Sequence, residues 1–218
     1  MSNERTNWAR DFFESVEPIK LLDPLGEILG AVKEGEPFVY NYSDAVLMAG
    51  HSCPAVSGAF AITRKALKAL YADETPVRGD IKVLIKGKPE ELAYGPQSQV
   101  IMLITGASGD TGFKGLGGQY GRNNRLFFDQ NETEFNTYIF GRMDTGKAVK
   151  LVYNPQALPD IPELNTLTPL VISKAANAEE KEEFQRLWQG KVKSILTDED
   201  KYPGLIEITE LTDFSFPG

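Results

Sequence analysis

Residue types that mark several specialised classes of protein are scarce in this sequence. Its 218 residues include a single histidine and a single cysteine, which excludes a disulfide within the chain. No apolar run approaches the ~18 residues of a membrane-spanning helix, so we expect no membrane association. The formal net charge is -8 and no long basic run occurs, which argues against nucleic acid or an anionic membrane surface as a partner.

The beginning of the chain also lacks the apolar core of a signal peptide. The segment from Trp8 to Val16 mixes charged and aromatic residues, so we expect a cytoplasmic protein. Helical spacing in two pieces predicts an N-terminal helical segment over residues 1–40, broken at Asp23-Pro24. We expect this segment and a main domain over residues 41–218 to form one compact unit. A chain of this length buries roughly 70% of its unfolded surface and needs no metal or disulfide to hold a core.

The two rarest residues lie one residue apart in the segment Gly50-His51-Ser52-Cys53-Pro54. Pro54 fits the first position of a helix, where its missing N–H costs nothing, and Cys53 or Ser52 is then the N-cap. The unpaired amides and the dipole at a helix start favour an anion. We therefore expect a Cys53 thiolate that binds a metal or attacks an electrophile.

Several interpretations of this pair stay open. Imidazole and thiolate are donors that zinc prefers, so His51 and Cys53 are candidate metal ligands. A metal-free alternative makes Cys53 the catalytic nucleophile and His51 its base, although catalytic Cys and His usually come from separate elements. A structural alternative makes His51 a cap and Cys53 a small buried residue, because buried cysteines are often inert.

The other periodic segments divide into helices and strands. Apolar residues at three-four spacing predict two long helices, over residues 54–70 and 179–196. Alternating or β-prone residues predict strands, over residues 38–42, 79–86, 126–128, 136–142, 148–153 and 206–209. The strands on either side of Asp144-Thr145-Gly146 are expected to form a β-hairpin. Residues 99–105 fit either a buried strand or the end of a buried helix, and the proline-rich residues 154–169 are expected to form an irregular connector.

Glycine is concentrated in the stretch from Gly106 to Gly118. Clustered glycines expose backbone amides that can cradle a phosphate. The spacing nevertheless matches neither a P-loop nor the dinucleotide-binding fingerprint, so we expect a long ordered loop that lines a ligand site. The candidates for binding a cofactor or small molecule are its polar side chains Ser108, Asp110, Thr111 and Lys114, with Gln99 just ahead of the loop.

In the order of its motifs, the chain resembles the FmdE family, which takes its name from a component of formylmethanofuran dehydrogenase. The segment Gly50 to Pro54 is similar to the family's Gly-His-x-Cys-Pro element, which opens a helix of small residues. Four further stretches are similar to family elements in the same order: Leu103 to Gly106, Gly121 to Leu126, Thr145 to Val149, and the helix from Phe184 to Ile195. The resemblance covers about residues 40–196.

The resemblance implies an α+β fold, with helices packed on a mixed or antiparallel sheet, and often a homodimer. It also implies a transition-metal site, commonly zinc, for which only His51 and Cys53 can be carried over as ligands. The family's cysteine after the Leu-Thr-Gly glycine is replaced by Ala107, and a further cysteine and aspartate are missing around residues 96–99. A C-terminal Cys-x-x-Cys ribbon is also missing, so one chain cannot build a complete cysteine-rich centre.

The resemblance leaves the activity of the protein open. An incomplete ligand shell, completed by carboxylates, water or a second copy of the chain, has open positions of the kind used in catalysis or ligand binding. A degenerate relative would instead keep the pocket without catalysis, and hold a small ligand or a haem iron through His51 or Cys53.

Overall fold

The computed structural model describes residues 5–91 and 93–217. The helices in this part of the chain are α1 (Phe12–Ser15), α2 (Pro24–Ile28), α3 (Tyr42–Ala49), α4 (Pro54–Tyr71), α5 (Tyr94–Thr105), α6 (Pro162–Ile172) and α7 (Ala178–Thr197). The strands are β1 (Ile19–Leu21), β2 (Phe38–Tyr40), β3 (Ile81–Ile85), β4 (Leu126–Phe128), β5 (Thr137–Arg142), β6 (Ala148–Tyr153) and β7 (Ile206–Leu211). Helices and strands follow no regular alternation, which confirms the predicted α+β class. Of the helices described, none is both long and apolar enough to cross a membrane.

Five strands form the main sheet in the order β4-β3-β5-β6-β7. β3 and β4 are parallel and the other neighbours are antiparallel, so the sheet is mixed. Buried β-branched and aromatic side chains face one another across it, with Phe140 between Val83 and Val149. The predicted β-hairpin is confirmed as β5 and β6, and the strand predicted over residues 206–209 is confirmed as β7, which lies at the edge of the sheet.

α4 packs against β5 and β6, with α5 beside it, and covers one face of the sheet. Its buried side includes Val56, Phe60 and Leu67, as the apolar spacing predicts. On the opposite face, Leu84 and Ile139 pack against aromatic side chains of the C-terminal segment. Both faces of the central strands are therefore buried.

α4 runs along the whole sheet, about 27 Å at ~1.5 Å per residue, and its two ends lie in different surroundings. At its beginning the backbone of Gly58 approaches the ring of Tyr153; we call this the tyrosine end. At its last residue the ring of Tyr71 lies 4.1 Å from the guanidinium carbon of Arg142; we call this the arginine end. Ile81, the first residue of β3, pairs with Arg142, so β3 runs from the arginine end to the tyrosine end.

The structure decides one open prediction, the strand or helix at residues 99–105, and corrects another, the connector at residues 154–169. Residues 99–105 form the last turns of α5, which ends at Gly106 with a left-handed φ of 74°. The irregular connector predicted over residues 154–169 was wrong for its second half, where α6 begins at Pro162. Pro162 lies in the first turn, where a missing N–H costs nothing, and α6 packs on α7.

The N-terminal segment predicted to be helical is helical only in part. Residues 1–4 lie outside the described residues, and α1 and α2 are 4 and 5 residues long. Between and after them β1 and β2 form a two-stranded antiparallel sheet, with Ile19 opposite Tyr40. Proline at position 18 and the alternating burial of β1 explain the strand. Leu21 is fully buried in the same core as α4. The division of the chain into an N-terminal segment over residues 1–40 and a main domain over residues 41–218 stays a prediction.

Candidate functional site

His51, Ser52 and Cys53 form a sharp corner between α3 and α4, at the tyrosine end. Gly50 ends α3 with a left-handed φ of 72°, a conformation that glycine adopts without strain. Cys53 is extended, with φ -148° and ψ 169°, and is the N-cap of α4, while Pro54 occupies the first turn. The predicted helix start is therefore confirmed, although the Cys53 side chain makes no capping hydrogen bond.

Ser52 anchors this corner to the core through four hydrogen bonds. Its Oγ donates to Gln189 Oε1 at 3.0 Å, so the hydroxyl of Tyr42, 2.8 Å away, donates to Ser52 Oγ. Its carbonyl oxygen accepts from Trp188 Nε1 at 3.0 Å and from Gln189 Nε2 at 3.2 Å. The corner is thus fixed by two residues of α7 that lie 136 and 137 positions further along the chain.

Ser52 and Gln189 were not predicted from the sequence as positioning residues. Serine and glutamine on their own carry no pattern that predicts a partner so distant in sequence. The one available signal was Trp188, because an indole N–H near a buried helix face usually finds a hydrogen bond acceptor.

The imidazole of His51 is exposed and held in one orientation. Its Nδ1 lies 2.9 Å from the carbonyl oxygen of Ala49. A carbonyl oxygen only accepts hydrogen bonds, so Nδ1 carries the proton and donates it, and the neutral ring keeps its lone pair on Nε2. A metal-binding histidine has the same arrangement, with one ring nitrogen fixed by an acceptor and the other directed to the metal.

Cys53 is half-buried and packs against the main core. Two phenols lie on its inner side: the Tyr153 hydroxyl donates to Pro54 O at 2.8 Å, and Tyr42 bonds to Ser52. Burial raises the pKa of Tyr153 well above its ordinary value, and the charge of a Cys53 thiolate would raise it further. Burial also raises the pKa of Tyr42, so both phenols stay neutral at physiological pH and neither acts as a base toward the thiol.

The metal-free nucleophile interpretation needs a hydrogen bond or a close approach between His51 and Cys53. The hydrogen bonds of the described residues direct the imidazole to Ala49 O and include no bond from it to the thiol. This interpretation therefore stays a prediction.

In the part of the chain that the structure describes, no further side chains complete a metal site with His51 and Cys53. Among residues 5–91 and 93–217, no group of three or more His, Cys, Asp or Glu side chains could hold a metal ion. A structural zinc site needs four such ligands and a catalytic one needs three. Among the described residues, His51 and Cys53 could therefore supply only part of such a shell.

The glycine-rich loop lies far from this corner, at the arginine end. It leaves α5 next to Gly79, whose N–H donates to Thr105 O at 2.9 Å. Ser108 is half-buried at the base of the loop and its N–H donates to Arg122 O, whereas Asp110, Thr111 and Lys114 are exposed. The length of α4 separates these four predicted ligand-binding residues from His51 and Cys53, and Gln99 is exposed on α5.

Ala107, which the resemblance places where the family often has a cysteine, is fully buried at the base of the same loop. A cysteine there would lie at the opposite end of the sheet from Cys53.

Comparison with known proteins gives two findings. A family model described as "FmdE, Molybdenum formylmethanofuran dehydrogenase operon" matches residues 48–202, which contain the corner, the glycine-rich loop and α7. Among solved structures, a crystal structure at 1.90 Å resolution of a tungsten formylmethanofuran dehydrogenase FmdE-like protein from Syntrophus aciditrophicus is similar, with 13% identity and a TM-score of 0.40. The similarity covers 79% of this chain and 72% of that chain. No curated protein sequence matches.

Proposed function

The chain belongs to the FmdE family, and we propose that it binds a transition-metal ion of the zinc type through His51 and Cys53. The family is named for the operon of a molybdenum enzyme. Imidazole and thiolate are the donors that zinc prefers, and both come from the corner between α3 and α4.

The orientation of His51 carries this proposal. Because Nδ1 donates to Ala49 O at 2.9 Å, the ring is already in the tautomer that coordinates through Nε2. The adjacent Ser52 is tied to α7, so binding a metal costs little ordering of the backbone between the two donors.

The remaining ligands are proposed to come from a second copy of the chain, from water or from a small-molecule ligand. α6 supports a second copy, because none of its residues is buried and the apolar side chain of Ile172 is 75% exposed. It packs on α7, the helix that holds the corner. Because one chain offers two donors, no reaction step is assigned to the metal, and the substrate stays open.

Elemental analysis of the purified protein tests the proposal, beside His51→Ala, Cys53→Ser and the control Tyr153→Phe. Each sample is loaded with zinc, dialysed, and passed over a sizing column with light-scattering detection. We expect one zinc ion per chain, or one per pair of chains, in the wild type, and at least a tenfold loss in the first two variants.

Tyr153→Phe removes the hydrogen bond to Pro54 O beside the same corner but removes no metal donor, so its zinc content is expected to stay at the wild-type level. Zinc retained in both donor variants, or absent from the loaded wild type, would overturn the proposal. In that case alkylation of Cys53 by iodoacetamide becomes the measurement that separates a reactive thiol from an inert one.

A further inference from the structure

A cavity at the arginine end has an arrangement that the proposed metal site does not use. It has a volume of about 210 Å³ and is lined by Arg78, Arg122 and Arg125, together with Asp80, Gln119 and Tyr120. This volume is below the ~300–1,000 Å³ of pockets for drug-sized ligands. The cavity suits a single small group rather than a large cofactor.

Its three guanidinium groups have only two carboxylates as neighbours among the described residues, those of Asp23 and Asp80. Arg122 and Arg78 share the carboxylate of the buried Asp23, at 2.6 Å and 3.1 Å. Arg125 is nearest to Asp80, at 3.8 Å, which is too long for a hydrogen bond, and the Asp80 side chain is half exposed. The lining of the cavity therefore keeps an excess of positive charge.

The arginines differ in how much of their hydrogen-bonding capacity is used. Arg78 donates from Nε to the carbonyl oxygen of Ile104 and from Nη2 to that of Leu103, both in the last turn of α5. Arg122 is more than nine-tenths buried, yet its Nε has no hydrogen bond partner among the described residues. An unpaired buried donor is unfavourable, and a small shift of the Arg122 side chain would let a ligand in the cavity accept a hydrogen bond from it.

The backbone at Gly79 leaves room for the Arg122 guanidinium beside the cavity. Gly79 has a φ of 92°, and a Cβ on it would overlap Arg122 Nη1. Gly79 also offers its carbonyl oxygen to Arg125. Burial lowers the pKa of Arg125. The Asp80 carboxylate partly offsets this effect and the neighbouring charge of Arg122 adds to it, so a bound anion would favour the charged guanidinium.

We propose that this cavity binds a small oxyanion, a phosphate or carboxylate group, between Arg122 and Arg125. Guanidinium groups form paired, charge-assisted hydrogen bonds with such groups. Arg125 is the main binding residue, because Arg122 is already committed to Asp23 through Nη2. The backbone of Gly121 and the side chain of Tyr120 line the same cavity and contribute further contacts.

Titration of the isotope-labelled full chain with inorganic phosphate, followed by NMR of the backbone amides, tests this site. A parallel titration uses acetate, and a third uses sodium chloride at equal ionic strength, because general screening affects all exposed charges alike. We expect saturable shifts of the amides of Gly79 and of residues 119–122 with phosphate or acetate but not with chloride. Shifts that do not saturate, or that lie elsewhere, would overturn the proposal.

Variants then separate the contributions. Arg125→Gln is expected to weaken binding at least tenfold, and Arg125→Lys severalfold, because lysine keeps the charge without the planar fork. Arg186→Gln is the matched control, since Arg186 is exposed on α7 and pairs with Glu183; its affinity should equal that of the wild type. If Arg125→Gln does not fold, Arg125→Lys decides, and wild-type affinity in that variant would refute the site.

The same titration on His51→Ala distinguishes this site from the metal corner. Anion binding that persists in His51→Ala is independent of the proposed metal. Binding that disappears there would mean that the anion had bound to a metal at the tyrosine end, and the cavity proposal would fail.

Discussion

The two ends of α4 hold the chain in place by different chemistry. At the tyrosine end, neutral groups fix the corner: the Tyr42 phenol, the Trp188 indole and the Gln189 amide surround Ser52. At the arginine end, buried charges do the same work, with Arg122 less than a tenth exposed and bonded to Asp23. Neutral hydrogen bonds are individually modest, whereas a buried charge that loses its partner is costly.

The difference indicates how each end suits its proposed ligand. Neutral phenols beside Cys53 leave a metal ion as the dominant charge at the tyrosine end. An excess of guanidinium charge at the arginine end attracts an anion and repels a metal ion. The rarest residues and the three arginines of the cavity therefore belong to two separate candidate sites in one chain.

Replacing a left-handed glycine at each end should give the largest contrast. Gly79→Ala places a methyl group on Arg122 Nη1, and Arg122 cannot move aside without leaving the buried Asp23. We expect a loss of about 3–5 kcal/mol in the free energy of unfolding. Gly50→Ala, with a φ of 72° and open space around it, should lose about 1–2 kcal/mol from backbone strain alone. Urea denaturation measures the free energy of unfolding of both variants. Equal losses would mean that the Arg122 side chain moves away from the new methyl group at no cost.

A helical glycine at the tyrosine end should give a smaller effect. A Cβ on Gly58 would overlap the ring of Tyr153, which is held by its bond to Pro54 O. Overpacking costs about 1–3 kcal/mol and the better helix propensity of alanine returns about 0.5–1 kcal/mol, so Gly58→Ala should be destabilised on balance.

Gly190 in α7 is the matched control for this substitution, because nothing lies within 4 Å of its added Cβ. Gly190→Ala should raise the free energy of unfolding by about 0.5–1 kcal/mol. Stabilisation in both variants would show that Tyr153 does not hold α4 in place.

The smallest expected effect concerns pH at the arginine end. Hydrogen bonds from Arg142 lower the pKa of Asp144 below its ordinary value. A carboxyl whose pKa is lowered by folding stabilises the protein above its unfolded pKa of about 3.9, and this contribution is lost as the pH falls through the folded value. The side chain is half exposed, so Asp144→Asn should lose only about 0.5 kcal/mol near neutral pH.

Denaturation series from about pH 7 to about pH 3 would show the wild type and Asp144→Asn converging in acid. Asp160→Asn, which removes an exposed carboxylate with no ion pair among the described residues, should run parallel to the wild type throughout. Asp144→Asn running parallel as well would show that Arg142 gains nothing from this carboxylate in solution.

Several elements of the fold could be predicted because their causes are local. Pro54 starts α4, three-four spacing extends it, and Asp144-Thr145-Gly146 turns the hairpin. Each of these depends on neighbours within a few positions, so the residue pattern contains the information. The secondary structure of residues 99–105, now the last turns of α5, could not be decided from the sequence, because a short buried apolar run fits either a strand or a helix.

Only part of the candidate site could be predicted from the sequence. Rarity and helix-capping chemistry by themselves determined that His51 and Cys53 lie together at the start of α4, and motif order predicted the family that the match confirms. Tertiary structure alone decided that Ser52 is anchored from α7, that Arg122 reaches Asp23, and that the glycine-rich loop lies a helix length away from Cys53. These contacts join residues about 100 or more positions apart, or depend on the direction in which α4 and α5 pack on the sheet, and neither is encoded in a local pattern.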